Sequence, residues 1–429
     1  MAEIAQPFLN APAPEQLECP SCHTSISYYD VQGSSFYGCP VCHAFFEYEY
    51  EGPPVILRQF EPTNTPPLIP IGTPGIVHGK AVRVVGYMRR AEQADPAEWS
   101  EYMLLVEGSG YWQLSEYNGH WMVIQPAEKR FSTANNKAID NDQSYTLYHQ
   151  YQPKTVYAVG EFDWNILEDD ALHVSEYIAP PRMLVQEIGN TETNWYRAEY
   201  KTPQEISTAF GLDHALPTPV GVGAIEPTGF DEIWKPLRNV TIAVAILMVA
   251  VQSLGFLVKP ARKCLDARFT SRVEKTQPSS TLRSALVSPP FDVDGPAALK
   301  LQFSATLNNQ WLELPISLIN EKTGKTYELT KVMEYYRGYE SGESWSEGNT
   351  KDVALLSRIP SGRYHLNLYP STDKPTPVHI RVIVTENTTL TSNLVLFAIA
   401  ILIYPLYQLW RSQYKNYQRW QNSNFGPNS

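Results

Sequence analysis

Two long, uncharged apolar segments place the strongest constraint on this chain, because they decide which environment every other segment can occupy. They cover residues 239–258 (NVTIAVAILMVAVQSLGFLV) and 393–410 (NLVLFAIAILIYPLYQLW). A helix of about 20 residues is about 30 Å long, which matches the hydrocarbon thickness of a bilayer. Buried core helices rarely sustain uncharged runs of this length. The sequence therefore predicts an integral membrane protein with two transmembrane helices.

The second apolar segment ends in residues typical of a membrane interface. Tyr404, Tyr407 and Trp410 lie close together and are followed by Arg411. Tyrosine and tryptophan concentrate at the headgroup level, and a basic residue anchors the helix end in water. Pro405 is expected to kink this helix near its end, which membrane helices tolerate.

Composition favours β structure and argues against nucleic acid as a partner. The chain has 429 residues and a formal net charge of −11, whereas nucleic-acid binding depends on lysine and arginine that neutralise phosphates. Prolines number 34 and tyrosines 26, while charged residues are only 18% of the chain. This mixture is typical of β-rich domains joined by proline-bearing connections. We expect two or three folded domains besides the membrane helices.

Four of the five cysteines form two pairs that predict a metal site. Cys19 and Cys22 make the first C-x₂-C pair, and Cys39 and Cys42 make the second, with sixteen residues between the pairs. This spacing is typical of a Cys₄ zinc ribbon, in which each tight turn presents two thiolates to one Zn²⁺ ion. Residues 1–60 are therefore predicted to form a zinc ribbon with an N-terminal tail. Because four sulfurs close the coordination sphere, the zinc would be structural.

Two other chemistries fit the same cysteines less well. Each pair is followed by a histidine, His23 or His43, so both pairs match the attachment motif of c-type haem. Haem attachment requires export, and the first residues lack the basic and apolar regions of a secretory signal. Disulfides are rare in the cytoplasm, where we expect this domain to lie. The remaining cysteine, Cys264, is predicted to be a free thiol.

Residues 71–215 show the alternation expected of a β-rich soluble domain. Asn118-Gly119 separates two strand-like runs, and this dipeptide supplies the positive φ angles of a type I′ turn. Thr202 and Glu205 form a capping-box pattern at the start of a helix predicted over residues 203–210. Strands are predicted at residues 82–85, 111–117, 120–124, 155–161, 172–178 and 194–200.

Spaced aromatic residues and turns in this part of the chain resemble a known family. The cysteine pairs are followed by residues 75–85, by WSEYMLL at 99–105, by the hairpin with Trp112 and Trp121, by GEFDW at 160–164 and by EYIAPP at 176–181. Together these segments, within residues 15–215, resemble the bacterial family called domain of unknown function 4178. Two details depart from the family's pattern: the segment around Trp112 reads WQLS, and His23 and His43 stand where glycine is usual. Neither departure affects the predicted zinc ligands.

The resemblance implies a β-rich domain behind a zinc ribbon. It also implies genes encoded near polyamine-synthesis and membrane-stress genes. It carries no catalytic residues to this chain, because none is established for the family.

An acidic group is the only candidate for acid–base or metal chemistry in this domain. Glu168, Asp169 and Asp170 are followed closely by His173. Acids in a turn between strands are more often solvated than catalytic. The sequence patterns of nucleophilic serine hydrolases, phosphate-binding loops and HExxH zinc enzymes are absent.

Aromatic residues offer a second candidate site in the same domain. Trp112, Trp121 and Trp164, with Trp99 and Tyr111, could form a ligand-binding face. Alternating aromatics on strands more often fill the core, so the packing interpretation competes with the binding one.

Residues 278–389 repeat the β pattern and are predicted to form a β-sandwich similar to a jelly roll. The segment 335–349 (YYRGYESGESWSEGN) is a candidate recognition loop for sugars, peptides or a protein, with Tyr339 and Trp345 as its binding residues. The alternative is an irregular, glycine-rich hairpin. Strands are predicted at residues 299–303, 311–319, 328–336, 353–356, 364–368 and 378–384.

Basic residues near the two membrane helices disagree about topology. The first helix favours a cytoplasmic loop between the helices, whereas the second favours a cytoplasmic C-terminus. The loop of 134 residues, 259–392, is also longer than the range in which such counts are reliable. Because thiolate ligands need a reducing compartment, we expect both termini in the cytoplasm of a bacterium, with residues 259–392 outside its inner membrane. Residues 411–429 are predicted to be a polar cytoplasmic tail.

The sequence supports two hypotheses of function. The first is a membrane-anchored, non-enzymatic sensor or adaptor, whose zinc module contacts protein partners in the membrane or the cytoplasm while the sandwich samples the envelope space. The family resemblance links it to envelope-stress or polyamine systems. The alternative is a membrane-tethered enzyme or enzyme subunit associated with polyamine metabolism, and a weaker idea is carbohydrate binding by the sandwich. Because the apolar segments hold no charge that could form an ion path, transport by this chain alone is not expected.

Overall fold

The computed structural model describes residues 14–48, 52–272, 284–340, 342–388 and 391–426. Their contacts divide the chain into two compact units. The first unit comprises Met1–Lys235 together with Leu406–Ser429, and the second comprises Pro236–Pro405. The described chain is mainly β, with two long apolar helices, as the sequence predicts.

The cysteine-rich start of the first unit is built from short antiparallel strands. Strands β1 and β2 pair with each other, whereas β3, β4 and β5 pair in sequence and join the main sheet where β3 pairs with β14. The second cysteine hairpin is therefore continuous with the main sheet. These strands are β1 Glu15–Glu18, β2 Ser25–Tyr28, β3 Phe36–Gly38, β4 Ala44–Glu47 and β5 Val55–Gln59.

One antiparallel sheet forms the body of the first unit, and its strands run in the order β11-β12-β13-β15-β16-β17-β10-β9-β8-β7-β14-β3-β4-β5, with β6 beside β7. The predicted hairpin is confirmed: Asn118 and Gly119 have φ angles of 50° and 81° between β9 and β10. The additional strands are β6 Pro74–Val77, β7 Lys80–Glu92, β8 Glu98–Val106, β9 Gly110–Tyr117, β10 His120–Pro126, β11 Ser132–Ala134, β12 Lys137–Asp140, β13 Gln143–Tyr151, β14 Pro153–Phe162, β15 His173–Ala179, β16 Arg182–Ile188 and β17 Thr193–Lys201.

This sheet curls so that the two ends of a nine-strand run meet. Strands β13 and β14 are consecutive in the chain, yet seven strands separate them in the sheet order. The Gln93 N–H donates to the Gln152 carbonyl over 3.0 Å, and His149 Nε2 lies 2.7 Å from Glu92 Oε1. Strand β14 approaches its neighbour β7 closely at Gly160, where φ is +95° and an added Cβ would lie 2.3 Å from the Val85 carbonyl oxygen.

A short helix, α1 Pro203–Phe210, closes one side of the core. The predicted capping box is confirmed, because the Thr202 side chain accepts from the Glu205 N–H and the Glu205 carboxylate accepts from the Thr202 N–H. Ile206 and Phe210 are buried in the apolar core of the sheet. The helix is thus held at its first turn by hydrogen bonds and along one face by packing.

Two helices carry the apolar segments. Helix α2 covers Phe230–Val258 and helix α3 covers Thr391–Gln421, so α3 continues well beyond the predicted end at residue 410. Both are long and apolar enough to cross a membrane, and their most apolar 18-residue windows are 0% and 11% buried. Pro405 lies inside α3.

The second unit consists of two antiparallel sheets that share one apolar core. The four-stranded sheet has the order β18-β28-β21-β25, and the other has the order β19-β26-β22-β23-β24 with β20 and β27 at its margins. Alternate residues of β21 and β22 are buried, which gives each sheet one core face. The strands are β18 Arg262–Ser271, β19 Leu286–Val287, β20 Phe291–Val293, β21 Ala297–Ala305, β22 Gln310–Asn320, β23 Thr326–Glu340, β24 Glu343–Asn349, β25 Lys351–Ile359, β26 Gly362–Leu368, β27 Ser371–Thr372 and β28 Val378–Glu386.

Two features of this unit differ from the expectation. Strand β18 belongs to the sheet because it pairs with β28, so the fold begins before residue 278. The segment 335–349 is largely a long hairpin of β23 and β24, which agrees with the hairpin alternative; residue 341 lies outside the described residues.

Candidate functional site

The four paired cysteines converge on one point. Cys19 Sγ lies 3.6 Å from Cys42 Sγ, and Cys22 Sγ lies 3.6 Å from Cys39 Sγ. All four sulfur atoms lie within 4.8 Å of one another. A tetrahedral ion with metal–sulfur bonds of about 2.3 Å requires sulfur atoms about 3.8 Å apart. The four residues therefore fit a single tetrahedral metal ion.

Each cysteine pair lies in a tight turn whose backbone explains the neighbouring histidine. The His23 N–H donates to the Cys19 carbonyl, and the His43 N–H donates to the Cys39 carbonyl. His23 and His43 have φ angles of 60° and 64°, a conformation that glycine adopts more easily. Their side chains bond elsewhere, His23 to Glu18 and His43 to Tyr157. Neither histidine belongs to the cysteine cluster.

Burial works against leaving these thiols ionised without a cation. It raises the pKa of Cys39 to about 12 and raises the pKa of Cys19 as well. Hydrogen bonding with the Thr24 side chain and backbone instead lowers the pKa of Cys22 to about 6. A bound cation would stabilise all four thiolates, because metal coordination requires the deprotonated sulfur.

The predicted acidic group does not converge on one site. Glu168 and His173 are exposed, and Asp170 accepts from the Thr155 N–H over 2.9 Å and pairs with Arg58. Asp169 alone turns inward, where it is buried. These residues therefore do not form a shared acid–base or metal centre.

The aromatic residues have separate locations. Trp112 and Trp121 are 8% and 0% exposed within the apolar core, so the packing interpretation accounts for them. Trp164 packs at the margin of this core, and its indole N–H donates to Asp169. Tyr339 and Trp345 are exposed on the β23–β24 hairpin, with side chains on opposite faces because Tyr339 pairs with Ser344. Trp112 and Trp121 thus form no exposed ligand-binding face in the first unit, and Tyr339 and Trp345 share no face of their hairpin in the second.

A buried polar cluster, which the sequence did not single out, surrounds Arg90. The Arg90 guanidinium, 4% exposed, pairs with Asp169 and lies 3.1 Å from Glu101 Oε2. The Trp99 indole N–H donates to Glu101 Oε1 over 2.6 Å. Burial opposes the charge on Arg90, but the two carboxylates raise its pKa. We call Arg90, Glu101, Asp169, Glu176 and Glu187 the Arg90 cluster.

Two carboxyl groups of the Arg90 cluster have pKa values near neutrality. Burial raises the pKa of Glu176 to about 7, against the lowering influence of His149. Burial likewise raises the pKa of Glu187 to about 7, against the influence of Arg90. The Tyr151 hydroxyl donates to Glu176 over 3.2 Å. Groups that exchange protons near pH 7 can act as acids or bases, although structural ion networks show similar shifts.

The end of helix α3 is bound to the first unit through a buried arginine. Arg419 is 3% exposed, and its guanidinium donates to the carbonyl oxygens of Gly223 and Glu226. Its own carbonyl accepts from the Tyr148 hydroxyl over 3.0 Å, and Lys415 pairs with the Glu226 carboxylate over 3.2 Å. Within the predicted polar tail, residues 411–421 therefore continue helix α3 and contact the first unit.

Residues that follow Arg419 extend the same contact. The rings of Trp420 and Tyr148 have their centroids 5.5 Å apart. The Ser423 hydroxyl donates to the Tyr148 carbonyl, and the Asn424 amide donates to the Gln150 carbonyl. We call residues 415–425 the C-terminal latch.

Residues 70–203 match the family described as Domain of unknown function (DUF4178). The match covers strands β6 to β17 of the first unit, including the Arg90 cluster, and supports the family resemblance in that region. No curated protein matches the chain significantly.

Solved structures resemble the chain only weakly. The structure of infectious bursal disease virus Gt strain is 11% identical, with 87% of this chain and 70% of that chain covered and a TM-score of 0.18. A structure of carbohydrate-binding modules from the beta-sandwich superfamily is 9% identical, with 61% and 89% covered and a TM-score of 0.13. TM-scores this low do not establish a shared fold.

Replacing one cysteine tests the metal centre. We expect Cys39→Ala to reduce the metal content from about one ion per chain to none, because three ligands leave the tetrahedral site incomplete. Elemental analysis by mass spectrometry measures this, and Cys264→Ala is the matched control that should keep its metal. Full metal retention in Cys39→Ala would contradict the four-sulfur assignment.

The raised pKa of Glu176 predicts a pH dependence of stability. Because its pKa is higher in the folded than in the unfolded chain, the folded state binds more protons between pH 4.5 and 7, and stability falls as pH rises. Glu176→Gln should remove this loss of stability. The difference in free energy of unfolding between this variant and the wild type should therefore shift in favour of the variant from pH 5 to pH 8. Denaturant titrations at both pH values measure the difference. The exposed Glu168→Gln control should show no such gain, and parallel pH profiles of Glu176→Gln and wild type would refute the shift.

Arg419→Ala tests the C-terminal latch. The substitution leaves the Gly223 and Glu226 carbonyls without their donor, and we expect it to cost about 2 kcal/mol of local stability. Hydrogen exchange followed by mass spectrometry should show lost protection over residues 415–425. The exposed Arg411→Ala provides the control, and equal protection in the two variants would argue against the latch.

Proposed function

We propose that this protein is a membrane-anchored, non-enzymatic sensor or adaptor that crosses a bacterial inner membrane twice. The exposed apolar surfaces of α2 and α3 support membrane insertion, because water would not stabilise them. The first unit faces protein partners in the cytoplasm or the membrane, and residues 259–392 face the envelope space. The family resemblance favours a role in envelope-stress or polyamine-linked systems.

The C-terminal latch is the observation that carries this proposal. Gly223 and Glu226 precede the first span, whereas Lys415 and Arg419 lie at the end of the second, and these residues are bonded to each other. Two crossings return the chain to its starting side, whereas a single crossing would place the bonded residues on opposite sides. The contact therefore supports a helical hairpin with both ends of the chain in one compartment.

The cysteine cluster supports the choice of compartment and of metal. Zinc is the ion that four cysteines in two C-x₂-C turns bind most often, and a closed sulfur site makes it structural rather than catalytic. Thiolates of this kind persist in a reducing compartment. We therefore place the first unit and the C-terminal latch on the cytoplasmic side of the membrane.

Protease accessibility tests this topology. In intact spheroplasts, added protease should cleave between residues 259 and 392. The first unit, detected through an N-terminal tag, should stay protected until the membrane is lysed. Fractionation of a detergent-free lysate is the companion measurement, and the chain should sediment with the membranes. Cleavage of the first unit in intact spheroplasts, or a chain that stays in the supernatant, would overturn the proposal.

The Arg90 cluster favours a second candidate, a membrane-tethered enzyme or enzyme subunit associated with polyamine metabolism. The observation behind it is two carboxyl groups whose pKa values burial raises to about 7: Glu187, which is influenced by the buried Arg90 guanidinium, and Glu176, which is influenced by His149. Screening the purified protein against polyamines separates the two candidates. Turnover that disappears in Glu176→Gln but persists in the exposed Glu168→Gln would replace the adaptor proposal with the enzymatic one.

A further inference from the structure

The segment between the two helices differs in charge from the rest of the chain. Residues 259–390 contain 17 lysines and arginines against 14 aspartates and glutamates, a balance of +3, whereas the whole chain carries −11. The remainder therefore carries −14. Part of the positive charge of this segment is concentrated at one place on the four-stranded sheet of the second unit.

A cleft of about 600 Å³ lies where this concentration occurs, and Arg268, Arg381, Lys351, His379 and Ser304 are among its lining residues. The strand register places four of them in one row: Arg268 pairs with Arg381, Arg381 with Ser304, and Ser304 with Lys351. Residues paired in this way project from the same face of a sheet. The row therefore crosses all four strands, from β18 to β25, with three cations and a hydroxyl.

The cations of this row are only partly compensated. Arg381 donates to both oxygens of Asp266 over 2.9 Å, and Lys263 pairs with the same carboxylate over 3.1 Å. Arg268 and Lys351 make no ion pair with any residue that the structure describes. Asp266 thus pairs with two cations, Lys263 and Arg381, and leaves the charges of Arg268 and Lys351 without a carboxylate partner among the described residues.

The direct pairing of Arg268 with Arg381 places two like charges opposite each other and favours the binding of an anion there. Like charges directly opposite each other on neighbouring strands destabilise a sheet. An anion seated between them would remove that repulsion and receive charge-assisted hydrogen bonds from planar guanidinium groups, which suit phosphate and carboxylate geometry. His379 adds a ring at the cleft, with Nδ1 3.0 Å from the Thr270 hydroxyl.

We propose that this cleft binds a ligand with two or more anionic groups, such as phosphates, sulfates or carboxylates. Neighbouring strands are about 4.8 Å apart, so the backbone positions of Arg268 and Lys351 are about 14 Å apart. A single oxyanion contacts one end of the row, whereas a ligand with several anionic groups reaches both ends. This inference rests on the proposed sensor function, because it names the class of ligand that the second unit takes.

Charge-neutralising variants test the cleft in the full-length protein, held in nanodiscs of phosphatidylcholine. Inorganic tripolyphosphate and inorganic phosphate serve as probes in calorimetric titrations. We expect tripolyphosphate to bind at least about tenfold more tightly than phosphate, and Arg268→Gln with Lys351→Gln to weaken it at least about tenfold, because two charge-assisted contacts are lost. The affinity should also fall as salt is raised.

The matched control removes the same charge elsewhere in the unit. Lys322→Gln with Arg337→Gln lies outside the cleft lining and should change the affinity less than about twofold. Equal binding by wild type and the cleft variant, or equal loss in the cleft and control variants, would overturn the proposal. Far-ultraviolet circular dichroism and a thermal melt of each variant confirm that the comparison concerns folded protein.

A further arm distinguishes the source of the anionic groups. The titration is repeated in nanodiscs that contain phosphatidylglycerol. Tripolyphosphate binding should be weaker if lipid headgroups occupy the cleft and unchanged if the ligand is soluble. Both results support an anion site. The binding measurement does not depend on topology. Failure of the anion site and failure of the membrane proposal are therefore separate results, the first seen by calorimetry and the second by fractionation.

Discussion

A charged side chain that is buried away from water needs oppositely charged or hydrogen-bonding partners, and this requirement shapes the first unit. Arg90 and Arg419 are both nearly inaccessible to solvent, yet they are satisfied differently. Arg90 is neutralised by carboxylates, whereas Arg419 is held mainly by backbone carbonyl oxygens from the segment before α2. Removing either partner set would leave a buried charge uncompensated, which is among the costliest changes in a folded protein. The position of the last turn of α3 therefore depends on the loop that contains Gly223 and Glu226.

Local signals in the sequence were sufficient for several parts of the structure. The cysteine spacing, the Asn118-Gly119 turn, the Thr202 capping box and the two apolar helices each depend on residues close together in the chain. Strands were harder to predict. The prediction included only residues 82–85 of β7, which covers Lys80–Glu92, because Arg89 and Arg90 interrupt the apolar alternation. Strand β18 was missed because charged residues fill its outward face, and only its pairing with β28 identifies it.

The sites that the sequence did not reveal are all non-local. The Arg90 cluster draws on β7, β8, β15, β16 and the turn that contains Asp169, and no spacing rule joins these segments. Residues 411–421 have the composition of a solvated tail, and Arg419 is buried only because its acceptors come from a loop 193 residues earlier. The cationic row in the second unit is likewise a property of strand register. Such contacts cannot be read from propensity or periodicity, since they depend on which strands become neighbours.

Helix α3 is a single element that begins shortly after β28 and ends in the latch. Pro405 cannot donate a backbone hydrogen bond, and bending of a helix concentrates at such a residue. The same position marks the boundary between the two compact units. Pro405 is therefore the residue at which a bend in this helix is most easily accommodated. The end of the helix beyond it is held by the loop whose Gly223 and Glu226 carbonyls bind Arg419.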